Sequence, residues 1–152
     1  MTRLWSQLKP AGTGPTARSG VQMGSCEKGV IIIGGFSKLK AKKDSDRGII
    51  HADAFVLQYE VAKKSWKWDK AKQGGDRPTP RSSTAMTAIS DHRLVAFGGT
   101  QDEDEDEDIQ SEIIDEMNFY DTKTNRWFPA VVKSKGTFDP LPRFFLKITF
   151  SK

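Results

Sequence analysis

Short apolar segments recur along the chain, and clusters of glycine, proline, asparagine and aspartate separate them. No segment keeps a helical period of 3.6 residues over three turns, whereas Val30–Ile33 is β-branched throughout, which is typical of a buried strand. The pattern therefore predicts an all-β chain of short strands joined by turns. The predicted strands are 4–8, 19–24, 30–33, 53–59, 66–68, 82–88, 94–97, 115–120 and 126–132, with a last apolar segment at 144–150.

The chain repeats itself at an interval of 63 residues. Pro15-Thr-Ala-Arg18 returns as Pro78-Thr-Pro-Arg81, and each copy precedes an apolar strand that ends in a glycine pair, Gly34-Gly35 or Gly98-Gly99. Each copy holds four predicted strands, and radially arranged four-stranded units are the plan of a β-propeller. Tryptophans recur in step with the copies, at Trp5, Trp68 and Trp127.

An arginine after a proline, a strand ending in Gly-Gly and a late tryptophan together resemble the kelch repeat. The resemblance implies two four-stranded antiparallel kelch blades of an incomplete β-propeller, because members of the family have more repeats. It also implies a non-enzymatic, intracellular protein that acts as a scaffold for protein–protein interaction. The expected divisions are 1–14 (last strand of a preceding blade and linker), 15–69 (first repeat), 70–132 (second repeat) and 133–152 (start of a third repeat, or a tail).

Composition narrows the class of protein without deciding its function. The 152 residues carry a net charge of +4, and 36% of them are hydrophobic, which is low but adequate for an all-β protein. A single cysteine, Cys26, excludes an internal disulfide framework and fits a reducing compartment. No apolar run has the roughly 18 residues of a membrane span, and the N-terminus has no secretory apolar core. We therefore expect a soluble protein of the cytoplasm or nucleus.

The strand order predicts where the connections of each blade lie. Successive antiparallel strands place their turns alternately at two ends, so the tight turns share one end and the long connections share the other. Loops on a rigid scaffold are where binding groups concentrate, and we therefore expect the interaction surface at the second end. The long connections are residues 9–17, 36–52, 69–80, 100–113 and 129–142.

Two of these connections carry strong and opposite charge. One interpretation is a bipolar docking surface that steers a charged protein partner. The alternatives are two solvated, disordered loops, or mutual pairing of the loops, which would order them weakly because an exposed ion pair contributes only about 0–1 kcal/mol. The basic residues are Lys38, Lys40, Lys42, Lys43 and Arg47, and the acidic residues are Asp102, Glu103, Asp104, Glu105, Asp106, Glu107 and Asp108.

Other site chemistries have little support in the sequence. Nucleic-acid binding is disfavoured because an acidic run accompanies the basic one and no aromatic residues are interleaved with it. The run Asp102–Asp108 has no turn-forming glycine for a calcium loop. His51 and His92 are expected at opposite ends of the blades and cannot share a metal, and Cys26 has no neighbouring base. We expect no cofactor and no enzymatic activity; part of a propeller enzyme is the less favoured alternative.

The repeated residues have structural interpretations. Arg18 and Arg81 could satisfy carbonyls or a carboxylate of a neighbouring blade, the alternative being contact with an acidic partner. The tryptophans are expected to pack between blades, and the glycine pairs to allow close backbone approach or unusual φ values. Two blades leave open faces and edges, so self-association, aggregation or partial unfolding is expected. A truncated gene product without independent function is a further alternative.

Overall fold

A computed structural model describes residues 4–38, 48–105 and 108–130. These ranges contain strands, one 3-10 turn at Val61–Lys63 and no α-helix, so the prediction of an all-β chain is confirmed. In chain order the strands of the first unit are β1 (Gln22–Cys26), β2 (Gly29–Ile33), β3 (Phe36–Lys38), β4 (Gly48–Ile50), β5 (Ala54–Glu60) and β6 (Ser65–Lys70). Those of the second unit are β7 (Gly74–Gly75), β8 (Ala85–Ser90), β9 (Arg93–Phe97), β10 (Thr100–Glu105), β11 (Asp108–Ile113), β12 (Met117–Asp121) and β13 (Arg126–Pro129).

Each unit forms one antiparallel sheet, which we call a blade. The first blade has the order β1-β2-β5-β6, and the second has β8-β9-β12-β13 with β7 added beside β13. Equivalent residues pair in equivalent registers: Ile31 lies opposite Val56 in the first blade, and Val95 lies opposite Phe119 in the second. The repeated sequence therefore builds a repeated structure, as the sequence pattern predicted.

The two charged connections are β-hairpins where the structure describes them, and the interpretation of both as irregular, disordered loops is wrong for those parts. β3 pairs with β4, from Phe36 opposite Ile50 to Lys38 opposite Gly48. β10 pairs with β11 from Thr100 opposite Ile113 to Glu105 opposite Asp108. In each hairpin the residues nearest the blade are uncharged and pair with each other. The backbone pairing then continues into the charged residues. Residues 39–47, 106 and 107 lie outside the described residues.

The connection between the blades, residues 71–84, packs against the core and pairs with the second blade. Ala71 packs against the core, the carbonyl of Lys72 accepts a hydrogen bond of 2.8 Å from the Tyr120 hydroxyl, and β7 then runs parallel to β13 at the outer edge. Ala11 bridges to Lys67 of β6 in the same parallel manner. The expectation that both inter-unit connections stay at one end of the blades is therefore only partly right, because each covers the outer edge of the blade that follows it.

The hydrophobic core lies between the two blades. The first blade contributes Ile31 and Val56, and the second contributes Leu94, Ala96, Tyr120 and Trp127. A side chain in place of Gly24 would lie 3.1 Å from a methyl group of Leu94, which shows how closely the sheets approach. Fully burying one large apolar side chain contributes roughly 1.5–3 kcal/mol, so burial of these residues stabilises the contact between the blades.

Hydrogen bonds join the blades at both ends. At the tight-turn end the Glu27 N–H donates to the Asp91 carbonyl (2.7 Å), and the Lys28 ammonium donates to the Thr122 carbonyl. At the other end the Ser83 N–H donates to the Gly20 carbonyl (2.9 Å). These bonds fix the orientation of the second blade relative to the first.

The N-terminal segment departs from the sequence prediction. No strand forms at residues 4–8, and Trp5, which was expected to pack between blades, is fully exposed with a relative accessibility of 102%. A strand needs a hydrogen-bonding partner, and no described strand lies beside this segment. Trp68 and Trp127 do occupy equivalent fourth strands, with Trp68 half-buried and Trp127 buried. None of the described residues forms a helix that is long and apolar enough to cross a membrane.

The tight turn after β12 predicts a pH dependence of stability. One carboxylate oxygen of Asp121 accepts hydrogen bonds from the backbone N–H groups of Lys123 (2.9 Å) and Thr124 (2.8 Å) and from the Thr124 hydroxyl (3.1 Å). The bond from the Thr124 N–H is the largest of the causes that lower the pKa of Asp121 below its ordinary value of 3.8. Because the folded pKa is depressed, the stabilisation is present above pH 4 and is lost as the pH falls through the folded pKa.

We expect Asp121→Asn to lower the free energy of unfolding by about 1–2 kcal/mol at pH 7, since hydrogen bonds to charged groups are the stronger ones. The deficit should shrink below pH 4, where the wild-type carboxylate also loses its charge. Urea unfolding followed by circular dichroism between pH 3 and pH 7 measures both effects. A deficit that stays constant across that range would contradict the role of the ionised carboxylate.

Candidate functional site

The two ends of the blades differ in the length of their connections. The turns of two to four residues after β1, β5, β8 and β12 share one end. The opposite end, which we call the rim, carries the hairpins β3–β4 and β10–β11 and the approach segments that contain Arg18 and Arg81. His51 lies at the rim, whereas His92 and Cys26 lie in or beside the tight turns. In the described ranges no three His, Cys, Asp or Glu residues are grouped so that they could hold a metal ion.

The two repeated arginines at the rim make the same pair of hydrogen bonds to the threonine two residues earlier, and we call this arrangement the arginine clasp. Nε of Arg18 donates to the Thr16 carbonyl (3.2 Å), and Nη2 donates to the Thr16 hydroxyl (2.9 Å); Arg81 makes the same two bonds to Thr79 at 3.1 and 2.8 Å. Arg18 also donates to the Gly34 carbonyl. The motif Pro-Thr-x-Arg therefore folds back on itself, because the guanidinium reaches the hydroxyl and carbonyl two residues earlier.

Each arginine is also paired with an acid that the sequence analysis did not single out. Arg18 binds Asp53 at 2.5 Å, and Arg81 binds Glu116 at 2.8 Å. In both cases the acid lies 35 residues after the arginine, so equal spacing in the two units was the available signal. The partner acid belongs to the same blade, not to the neighbouring blade as was one expectation.

His51 is a neutral neighbour of this cluster. Its Nε2 lies 2.8 Å from the Ser37 hydroxyl, and its backbone N–H donates to the Gly35 carbonyl. Burial, and then the positive charge of Arg18, lower the pKa of His51 below its ordinary value of 6.5. The imidazole is therefore uncharged at neutral pH, and it contributes hydrogen bonding without charge to the rim.

A small cavity of about 40 Å³ opens between the blades at the rim. Ile33 and Ala52 line it from the first blade, and Met86, Ala96 and Trp127 line it from the second. Gln73 closes its floor, where its Oε1 accepts a bond of 2.9 Å from the indole N–H of Trp127 and its Nε2 donates to the Ala52 carbonyl at 2.7 Å. A shallow groove of about 330 Å³ adjoins it, and Pro78, Thr79 and Asn118 line both spaces.

The charged residues singled out in the sequence reach the rim only in part within the described residues. Lys38 is exposed at the end of β3, and Lys40, Lys42, Lys43 and Arg47 lie outside the described residues. Asp102–Glu105 and Asp108 lie in the strands of the acidic hairpin, and Asp106 and Glu107 are outside the description. Both excursions thus leave from the same end of neighbouring blades.

Comparison with known families decides what this architecture is. The sequence model of the KLHDC2/KLHL20/DRC7 Kelch-repeats domain matches residues 1–152, the full length of the chain. The chain belongs to the kelch-repeat family. Kelch-repeat domains are typically non-enzymatic and generally mediate protein–protein interaction. In this kelch protein the two described blades correspond to the two copies of the sequence repeat, and the arginine clasps and the inter-blade cavity occupy their common rim.

Proposed function

We propose that this kelch-repeat chain is a protein-binding module inside the cell, and that it binds its partner with the rim. The observation that supports the proposal is the convergence of both hairpins, both arginine clasps and the inter-blade cavity at one end of the blades. In the described part of the chain the opposite end carries the tight turns, which make hydrogen bonds within the chain. Loops and hairpins that a packed scaffold holds at one end are suited to recognition of a protein surface.

The two charged hairpins would set the polarity of the docked partner. The hairpins β3–β4 and β10–β11, whose sequences carry the basic and the acidic run, leave from neighbouring blades. A partner with complementary patches could therefore bind in one orientation only. Residues 36–48, with 51–53 after them, resemble the corresponding loop of kelch domain-containing protein 4, and so does the acid-rich run that leads into 118–121 and 125–128. We propose that the chain is a relative of that protein, and that its rim binds a protein partner.

Site-specific photo-crosslinking tests which end of the blades binds. Arg77 borders the groove at the rim, and Lys64 lies in the tight turn between β5 and β6; both are exposed and basic. Each is replaced in turn by p-benzoylphenylalanine in the full chain, and crosslinked polypeptides are identified by mass spectrometry from cells. We expect reproducible heterologous crosslinks from position 77 and at least fivefold fewer from position 64. Equal yields from the two positions would contradict the proposal.

A charge-reversal pair tests the contribution of the basic segment. We expect Lys42→Glu/Lys43→Glu to lower recovery of the crosslinked partner at least threefold at 50 mM salt, with a smaller loss at 300 mM, because steering by exposed charges is screened by salt. Lys63→Glu/Lys64→Glu is the matched control, since it makes the same charge change at the opposite end. Equal recovery by the two variants would remove the basic segment from the binding surface.

A further inference from the structure

The two blades differ at three equivalent positions near the rim. Val21 and Thr84 each lie three residues after the clasped arginine. Ile32 and Ala96 each lie two residues before the glycine pair, and they pair across the sheet with Phe55 and Asn118 respectively. Where the first blade has valine, isoleucine and phenylalanine, the second therefore has the smaller or polar residues Thr84, Ala96 and Asn118.

All three exchanged residues of the second blade line the inter-blade cavity. Phe55, at the position of Asn118, is buried beneath Arg18, whose guanidinium carbon lies 5.9 Å from the centre of the ring. The exchange of phenylalanine for asparagine and of isoleucine for alanine removes apolar volume from the face that the second blade turns toward the first. The cavity is therefore a local departure from the packing of the repeat.

The lining of the cavity includes a buried polar group without a partner among the described residues. The hydroxyl of Thr84, which is 6% exposed, accepts and donates no hydrogen bond there. The amide of Asn118, also 6% exposed, lines the same cavity. Buried polar groups are nearly always hydrogen-bonded, so an unpaired hydroxyl in the lining of a cavity indicates that a ligand or water supplies the bond.

Size and charge limit what the cavity accepts. A volume of about 40 Å³ is near a quarter of an engineered cavity of about 150 Å³ that binds benzene, and it corresponds to roughly three water molecules or one isopropyl group. The lining is mainly apolar, and the nearest charge, Arg81, is already bonded to Thr79 and Glu116. An uncharged aliphatic group is therefore accepted more readily than an anion or an aromatic ring.

We propose that this cavity is the anchor site for one valine-sized side chain of the partner polypeptide. The amide of Asn118 would bind the main-chain amide next to that side chain, because Asn118 lines both the cavity and the open groove in which a backbone would lie. This assignment rests on the proposed function, since it names the chemistry of a partner that the rim would bind.

The test uses a defined probe on the full chain labelled with ¹⁵N. N-acetyl-L-valine N-methylamide is titrated, and the side-chain NH₂ of Asn118 and the indole N–H of Trp127 are followed by NMR. We expect saturable shifts of both signals, with half-saturation at tens of millimolar, and less than a tenth of the shift with N-acetylglycine N-methylamide. Equal shifts with the two probes, or water that remains in contact with Asn118 at the highest probe concentration, would show a water-filled packing defect and overturn the proposal.

Two variants separate volume from hydrogen bonding. Ala96→Ile restores the residue of the first blade and should abolish the saturable shift, whereas Asn118→Leu keeps the side-chain size and should weaken binding of the valine probe at least fivefold. Asn118→Leu keeps the test decisive if Ala96→Ile does not fold.

Two outcomes distinguish failure of this inference from failure of the proposed function. If Ala96→Ile retains full crosslinking from position 77, the cavity is not the anchor site, and binding by the rim stands. If the probe binds but position 77 gives no crosslinks, the cavity stands and the proposed function fails.

Discussion

Replacing Trp127 by alanine is expected to lower the free energy of unfolding by about 3–5 kcal/mol, the range for a buried aromatic side chain. The indole is 2% exposed in the core between the blades, and its ring centre lies 4.9 Å from that of Tyr120. Its N–H bond to Gln73 would also be lost, leaving the amide oxygen of Gln73 without this donor. Because a domain of this size has a total stability of about 5–15 kcal/mol, the variant should lose much of its cooperative unfolding transition.

The matched control is Trp5→Ala, which removes the same side chain from a fully exposed site. Surface substitutions of this kind change stability by less than about 0.5 kcal/mol. Urea unfolding followed by far-ultraviolet circular dichroism compares the two variants without relying on tryptophan fluorescence. Similar losses in both would mean that the interface between the blades is not the core of the molecule.

Gly99→Ala is expected to destabilise the chain by about 2–3 kcal/mol, since a strained backbone position costs about 1–3 kcal/mol and a steric clash adds to it. Gly99 has φ of +105°, a conformation that side chains with a Cβ rarely adopt. A Cβ there would lie 2.5 Å from the Thr84 hydroxyl and 2.8 Å from the Ser82 carbonyl. The Thr100–Ser82 hydrogen bonds that dock the approach segment onto the blade would have to shift.

Gly74→Ala is the control for this substitution. Gly74 does not have a positive φ, and the nearest atom to a new Cβ, the Asn125 carbonyl oxygen, lies at an ordinary 3.6 Å. We expect the midpoint of thermal unfolding to fall by several degrees for Gly99→Ala and to change by about one degree or less for Gly74→Ala. Equal shifts in the two variants would contradict the role of strain at Gly99.

The parts of the fold that were predictable are those where local pattern and global packing agree. The Pro-Thr-x-Arg segments and glycine pairs gave the repeat, and β-branched runs such as Val30–Ile33 gave its buried strands. The alternation of turns in an antiparallel sheet then predicted which end of the blades carries the long connections. The family match agrees with this outcome.

The parts that were not predictable depend on contacts between residues far apart in sequence. Strand pairing in β3–β4 and β10–β11 was not predicted because charged residues in these segments mask the alternating pattern of a strand. The few residues that pair at the base of each hairpin are too short a signal in the sequence. β7 is two glycines, which carry no strand signal. It exists because the carbonyls of Asn125 and Trp127 accept hydrogen bonds from the N–H groups of Gly74 and Asp76 at an open edge. The sequence indicates the cavity only when Asn118 is compared with Phe55, which occupies the same position in the other blade.

The edge strand β7 determines where one repeat can be separated from the next in an engineered chain. In each blade the outermost hydrogen bonds join the fourth strand, or the residue before it, to a segment that precedes the first strand. Ala11 bonds to Trp66 and Trp68 in the first blade, and Gly74 bonds to Asn125 in the second. A transplantable unit therefore begins upstream of its own arginine clasp, at about residue 9 or residue 72, and ends with its fourth strand. A chimera joined at Pro15 or Pro78 would separate this pairing segment from its own blade. One blade would then have an unpaired fourth strand, and the other would carry a pairing segment without its partner strand.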